Sequence, residues 1–320
     1  MRRLILIIWC TLCCTVLYGQ EVVRHTYHYA THCSQELYLD RYVTEEHSDT
    51  PRPCMIFAFG GGFVQGSRDV DYYRIYFEHL AREGIVVVSI DYRLGLKNLP
   101  KIDGARAMID VFDNAITIAV QDMYCATNFV CANAEEWCVD PAKIMLSGSS
   151  AGAITALQAE WLRANDDSLA EVLPEGFRYA GVVSCAGAIF SRHGRPKFAT
   201  QPAPMLLFHG TSDSNVPYNH GSLFGVGFYG SEYITRQLER LDSPYWFYSV
   251  KYADHRLAGT PLFEQCDLIV QFIKEFVLEG KREQITTTVE RLDGERRPTR
   301  FTAMDYIRTN YQRDRSNGKR

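Results

Sequence analysis

The stretch from Lys143 to Trp161, KIMLSGSSAGAITALQAEW, constrains this chain more than any other. Ile144, Met145 and Leu146 form a short apolar run that reads as a buried strand. Gly148-Ser149-Ser150-Ala151-Gly152 follows, a G-x-S-x-G pentapeptide. After it, Ala153, Leu157, Trp161 and Leu162 suggest a helix with one apolar face. Strand, sharp turn and helix are the setting in which such a serine stands out of a strained turn. Glycines two residues to either side allow neighbouring backbone to approach closely. Ser150 would stand at the C-terminal end of its strand and at the N-terminus of the next helix. The dipole and free N–H groups there favour negative charge. G-x-S-x-G by itself also describes an ordinary glycine-rich loop, so the rest of the chain must supply a base, an acid and oxyanion donors.

The 320 residues allow one large α/β domain, and 46% apolar with 22% charged residues is ordinary for a globular protein. A net charge of −4 gives no reason to expect nucleic acid as a partner. At the N-terminus, Arg2 and Arg3 precede an apolar run from Leu4 to Tyr18. Positive end, apolar centre and small Gly19 describe a secretory signal peptide over residues 1–19, and a secreted or periplasmic protein. The run falls short of the roughly 20 residues of a membrane span, so no stable span is expected after cleavage. Seven cysteines follow it, at 33, 54, 125, 131, 138, 185 and 266, an odd count that leaves at least one thiol unpaired. Cys185 and Cys266 read as core thiols. Cys131 with Cys138, and Cys33 with Cys54, are the candidate pairs. The cysteine spacings match no zinc pattern. In an extended strand only His28 and His32 of the three early histidines share a face, which is no basis for a metal site.

Strands are expected over Val22–Tyr29, Gln35–Val43, Pro53–Phe59, Gly84–Arg93, Tyr179–Ala186, Pro204–Phe208 and Tyr245–Tyr252. The pattern is helical from about Ile102 to Ala134, with an interruption near Asp113-Asn114. Helices are also expected over Ser231–Leu241 and Pro261–Leu278, and a loop over Ile189–Pro204. Strands alternating with helices predict an α/β fold, a mostly parallel central sheet with helices on both faces. Residues 281–320 carry eleven Lys and Arg against six Asp and Glu and lack a long apolar run. They read as a basic C-terminal extension, which leaves residues 20–280 as the catalytic domain.

Three consecutive glycines, Gly60-Gly61-Gly62, directly follow a buried strand, at an entropic cost that asks for a reason. One reason is backbone N–H groups turned into a cavity to bind an oxyanion. A phosphate loop is excluded, because no G-K-[ST] follows. Acyl transfer by serine also needs a base and a carboxylate that orients it. Only His220 and His255 follow a plausible acid that follows Ser150. His220 has no strand of its own between it and Asp213, whereas His255 does. Asp213 is therefore the acid and His255 the base. Asp254 is next to His255, but adjacent side chains point apart in extended chain.

These motifs, in this order, resemble the α/β-hydrolase fold of the esterase/lipase superfamily. The likeness is nearest to bacterial secreted carboxylesterases with an HGGG-type oxyanion loop, a group that includes esterases removing acetyl or feruloyl groups from plant polysaccharides. It rests on Gly60-Gly61-Gly62-Phe63, Asp91-Tyr92-Arg93, Gly148 to Gly152, His209 to Asp213 with Val216-Pro217-Tyr218, and His255. The resemblance implies an oxyanion hole of the Gly61, Gly62 and Ala151 amides and a catalytic set of Ser150, Asp213 and His255. It implies a small-molecule or saccharide ester as substrate and no metal or organic cofactor. Phe59 stands where the motif has His, and its ring is expected to support the loop. Ala253 stands where Gly often precedes the base. A prolyl-oligopeptidase-like peptidase and an inactive binding protein on a hydrolase scaffold are the alternatives.

Overall fold

The computed structural model describes residues 21–290 apart from 46, 47, 49, 99–103 and 224. The expected signal segment and residues 291–320 lie outside the described residues. The strands are β1 (Val22–His32), β2 (Gln35–Thr44), β3 (Arg52–Ala58), β4 (Val86–Ile90), β5 (Val139–Ser149), β6 (Gly181–Cys185), β7 (Ala188–Ser191), β8 (Met205–Gly210), β9 (His220–Leu223), β10 (Val226–Gly230), β11 (Tyr245–Lys251) and β12 (Gln284–Glu290). Nine of them form one sheet in the order β1-β2-β4-β3-β5-β6-β8-β11-β12. β1, β2 and β4 pair antiparallel, and every pair from β4 to β12 is parallel. The central strands are buried along their whole length, as parallel strands covered on both faces must be. Their C-terminal ends share one edge of the sheet, where loop residues from distant parts of the chain can meet.

The principal helices are α1 (Asp71–Arg82), α2 (Ala105–Ala132), α3 (Ala151–Ala164) and α4 (Ser231–Arg240). α2 runs unbroken through Asp113-Asn114, where an interruption was expected. Asp and Asn weaken a helix only modestly. Here Arg192 holds the helix from outside, with one guanidinium nitrogen 2.9 Å from Asp113 and another on Asp110. The last predicted helix is divided into α5 (Pro261–Glu264), α6 (Cys266–Phe272) and a wider π-helical turn over Ile273–Leu278.

Two further differences concern strands. The stretch expected as a loop begins with β7, which joins β10 and β9 in a separate three-stranded sheet. Four buried residues are too short a run to show a period, and the partner lies far along the chain. The extension expected from residue 281 instead begins by completing the main sheet: β12 pairs with β11, and its side chains alternate between exposed and half-buried. The charge excess misled here, because the two basic and two acidic residues of 281–290 cancel.

All seven cysteines are free, so neither candidate disulfide forms. Cys33 sits with Ser34 in the two-residue turn between β1 and β2, both at positive φ (48° and 67°). It is exposed, whereas Cys54 is buried inside β3. Cys138 donates its thiol to the Ser48 carbonyl at 3.0 Å rather than meeting Cys131. His28 contacts the Thr31 hydroxyl, while His32 turns to Asp122 beyond a bulge in β1, so the two do not converge.

Candidate active site

Ser150 caps α3 with φ 50° and ψ −114°, a conformation rare for a residue with a side chain. The two flanking glycines show what holds it there. A Cβ on Gly148 would fall 2.3 Å from the Gly152 carbonyl carbon. A Cβ on Gly152 would fall 2.0 Å from the Ala58 carbonyl oxygen, at the end of β3. The turn is therefore folded tightly on itself and its helix is pressed against the neighbouring strand. The Ser150 amide donates to the Cys185 carbonyl at 2.9 Å, which closes the turn from the other side.

Ser150 Oγ lies 2.8 Å from His255 Nε2, and His255 Nδ1 lies 2.7 Å from Asp213 Oδ2. These residues come from the ends of β5, β8 and β11, so the sheet brings together groups spread over a hundred positions. A carboxylate only accepts, so Nδ1 carries the ring hydrogen and Nε2 is left to accept from the serine hydroxyl. The other carboxylate oxygen, Oδ1, accepts from the Asn215 and Val216 amides at 2.8 and 2.9 Å. Burial pushes the Asp213 carboxyl upward, but the charge and hydrogen bonds of His255 and His209 outweigh it and hold the group well below the usual carboxylate range. The Asp213 side chain is fully buried, whereas that of His255 is 20% exposed, at the open end of the line.

The competing residues are engaged elsewhere. Asp254 accepts from the Arg256 amide and side chain at 3.0 and 2.9 Å, capping a short 3-10 turn that begins at His255. His220 lies on β9, bonded to the Asn219 side chain at 2.9 Å and stacked on Tyr229.

The glycine loop abuts the serine. A Cβ on Gly60 would stand 3.0 Å from Ser149 Oγ and 3.4 Å from Ser150 Cβ. Gly61 has φ 135°, Gly62 φ 64° and Phe63 φ 62°. The Gly61 carbonyl accepts from the Val64 and Gln65 amides at 3.1 and 3.2 Å, which closes the loop into a turn. The Gly60 amide donates to Tyr73 Oη on α1 at 3.2 Å. The Ala151 amide is the first of α3, among those a helix cannot satisfy internally. Phe59 stacks on Tyr92 with ring centroids 4.4 Å apart, and its carbonyl accepts from Tyr92 Oη at 2.8 Å. Asp91 pairs with Arg68 at 2.7 Å, and Arg93 with buried Asp122 at 2.8 Å.

Two contributors were not singled out from sequence, Tyr73 and His209 as a second imidazole near Asp213, whereas Asp91-Tyr92-Arg93 reads from sequence as a buttress and Tyr92 is one, as the platform for Phe59. Only position could have suggested Tyr73, on the first helix after the glycine loop. Among the described residues no group of three His, Cys, Asp or Glu could hold a metal ion. No helix among them is long and apolar enough to cross a membrane.

Comparison with known proteins agrees with this architecture. The BD-FAE family model, of an α/β-hydrolase esterase family, matches residues 39–188, which include the glycine loop and the serine turn. Esterase B1 of Culex pipiens is 30% identical over 121 residues, 38% of this chain and 21% of that protein. Fumonisin B1 esterase of Sphingopyxis macrogoltabida is 31% identical over 137 residues, 42% of this chain and 24% of that protein. The chain thus spans no more than 24% of the length of these two relatives. A thermophilic esterase of Thermogutta terrifontis, in its propionate-bound form, superposes with a TM-score of 0.59 at 23% identity, covering 81% of this chain and 95% of that one. Strand order, serine turn and structural likeness agree: this chain has the α/β-hydrolase fold, and its residues 39–188 match the BD-FAE esterase family.

Proposed function

We propose that this protein is a serine carboxylesterase that hydrolyses short-chain or carbohydrate-linked esters through an acyl-enzyme on Ser150. The observation that carries this is the unbroken line from Ser150 Oγ to His255 at 2.8 Å and on to Asp213 at 2.7 Å. The Thermogutta esterase, solved with propionate and with butyrate bound, supports a short acyl group by likeness.

His255 Nε2 takes the proton as Ser150 Oγ attacks the ester carbonyl. Asp213 keeps the hydrogen on Nδ1 and stabilises the imidazolium that forms. The carbonyl oxygen becomes an oxyanion held by the Ala151, Gly61 and Gly62 amides. One such donor is typically worth about 10²–10³ in rate. The imidazolium returns its proton to the departing alkoxide and the alcohol leaves. Water then loses a proton to His255, attacks the acyl-enzyme and releases the acid. None of these steps requires a metal, an organic cofactor or nucleic acid.

Hydrolysis of p-nitrophenyl acetate by the wild type and by Ser150→Ala tests this reading. Turnover should fall by roughly four orders of magnitude or more in the variant. Equal rates in the two would sink it; loss confined to the variant leads to a panel of acetylated and feruloylated saccharides, which resolves the acyl group and tests a saccharide as the alcohol. We further propose that residues 1–19 direct secretion and are removed. N-terminal sequencing of the exported protein should begin at Gln20, and an intact Met1 would refute this.

A further inference from the structure

His209 takes no part in the steps above, yet it occupies a costly position. It stands near the end of β8, fully buried, where an imidazole is tolerated only if both ring nitrogens find partners. Both do. Nε2 lies 3.2 Å from the Val216 carbonyl and 3.5 Å from Asp213 Oδ2. Nδ1 lies 2.8 Å from Ser231 Oγ, on the first residue of α4. A carbonyl only accepts, so Nε2 carries a hydrogen and donates it to Val216, with Asp213 Oδ2 as a longer, electrostatic neighbour of the same N–H. In the neutral ring Nδ1 then accepts from the buried Ser231 hydroxyl. The tautomer is set from both sides.

We propose that His209 and Ser231 are positioning residues for Asp213, extending the line to Ser150–His255–Asp213–His209–Ser231. This rests on the serine-esterase reading above. Asp213 Oδ1 is fixed by two backbone amides, but Oδ2 would otherwise be held by His255 alone, the partner whose charge changes in each half-reaction. His209 Nε2, 3.5 Å from Oδ2, gives that oxygen a second positively polarised neighbour that takes no part in the proton transfers. Packing around the acid loop supports the same view. The Glu232 amide donates to the Tyr218 carbonyl at 3.0 Å and the Gly230 amide to the Asn219 carbonyl at 2.6 Å. A Cβ on Gly230 would fall 1.7 Å from the Pro217 carbonyl oxygen. The junction of β10 and α4 therefore clamps the loop that carries Asp213, and Ser231 is where the clamp reaches the carboxylate through His209.

The test compares His209→Phe, His209→Gln and Ser231→Ala, by kcat and KM on p-nitrophenyl acetate and by the low-field proton resonance of the His255–Asp213 hydrogen bond. Phe keeps a ring but offers no N–H, so kcat should fall on the order of tenfold to a hundredfold with KM little changed. Gln places an amide nitrogen near Nε2 and should recover most of kcat. Ser231→Ala should fall in the same direction by less. Equal loss in Phe and Gln would leave only a packing role and overturn the proposal, as would wild-type kcat in Phe. Should the Phe variant not fold, unchanged kcat in Ser231→Ala overturns it. The proton resonance separates this proposal from the functional reading, since it needs no turnover. A signal weakened in Phe or Ser231→Ala and retained in Gln supports positioning even without ester hydrolysis, and a signal indifferent to all three refutes it.

Discussion

The two sides of the candidate site are built by different means. The serine side is held by backbone against backbone: Gly148 and Gly152 leave no room for a Cβ, and the atoms they would strike are main-chain atoms of the turn itself and of β3. The partner-side loops are also packed backbone on backbone, at Gly61, Gly210 and Gly230, but their working groups are aimed by side chains. Asp213 and His255 are aimed by hydrogen bonds, and the glycine loop leans on Tyr73 and on the stacked pair Phe59–Tyr92. Backbone contacts cannot relax without moving whole strands, whereas a hydrogen-bonded side chain can be replaced one atom at a time. Substitutions of the glycines on the serine side should therefore cost stability, and substitutions of the aiming side chains on the partner side should cost rate.

On the partner side the largest effect is expected at Asp213. Asp213→Asn preserves shape but permits the wrong tautomer of His255, and kcat should drop about 10⁴-fold while the fold persists. Loss of folding in this variant, read by circular dichroism, would break the distinction drawn here.

Gly152→Ala tests the serine side. Its methyl would meet the Ala58 carbonyl at 2.0 Å, so thermal and urea unfolding should show destabilisation of about 3 kcal/mol or more. Gly60→Ala sharpens the contrast, because its nearest neighbours, a serine hydroxyl at 3.0 Å that can rotate and the Ser149 carbonyl oxygen at 3.1 Å, are far looser than the 2.0 Å contact at Gly152. That variant should fold nearly as well as the wild type and lose activity instead. Comparable destabilisation in both would show that the glycine loop is as rigid as the turn.

Asp213 also gives the site a pH signature. Its folded carboxyl is held well below the usual range, so its donors contribute stability that is complete above the unfolded-chain value of about 3.9. As pH falls from there through the folded value, that contribution is lost. The stability difference between wild type and Asp213→Ala, measured by urea unfolding, should be constant from pH 7 to about pH 5 and shrink on further acidification. A difference that grows on acidification would contradict the low folded value.

Tyr73→Phe should have the smallest effect. It removes one acceptor from the Gly60 amide, a bond worth about 1 kcal/mol, and should lower kcat/KM by less than about tenfold. A larger loss would mean that Tyr73 touches the substrate.

Much of this architecture was legible before any coordinates. The runs VVVSI and MLLFHG are continuous and apolar because strands buried on both faces must be, and that signal is local. The serine turn was legible because strand, glycine spacing and helix lie within one short stretch. What escaped depended on distant partners. β7 is four residues long and exists because β10 pairs with it. β12 was obscured by the charges of the chain beyond it. Asp113 on α2 is met by Arg192, which lies far along the chain.

By itself, then, the sequence determined an α/β order of strands and helices, a strained serine turn, and a short list of candidates for acid and base. Chemistry restricts which residue types can fill those roles, and chain order restricts which positions. Strand order already favoured His255 over His220 and Asp213 over Asp254; only the tertiary structure supplied the 2.8 and 2.7 Å contacts and the cap that engages Asp254. It also decided that His209 meets Asp213. These are matters of ångströms at the edge of a sheet, where β5, β8 and β11 end close together, with β6 between the first two, although β5 and β11 are a hundred residues apart. Nothing in the local sequence carries that distance, because it depends on which strands pair and how the loops that leave them are held.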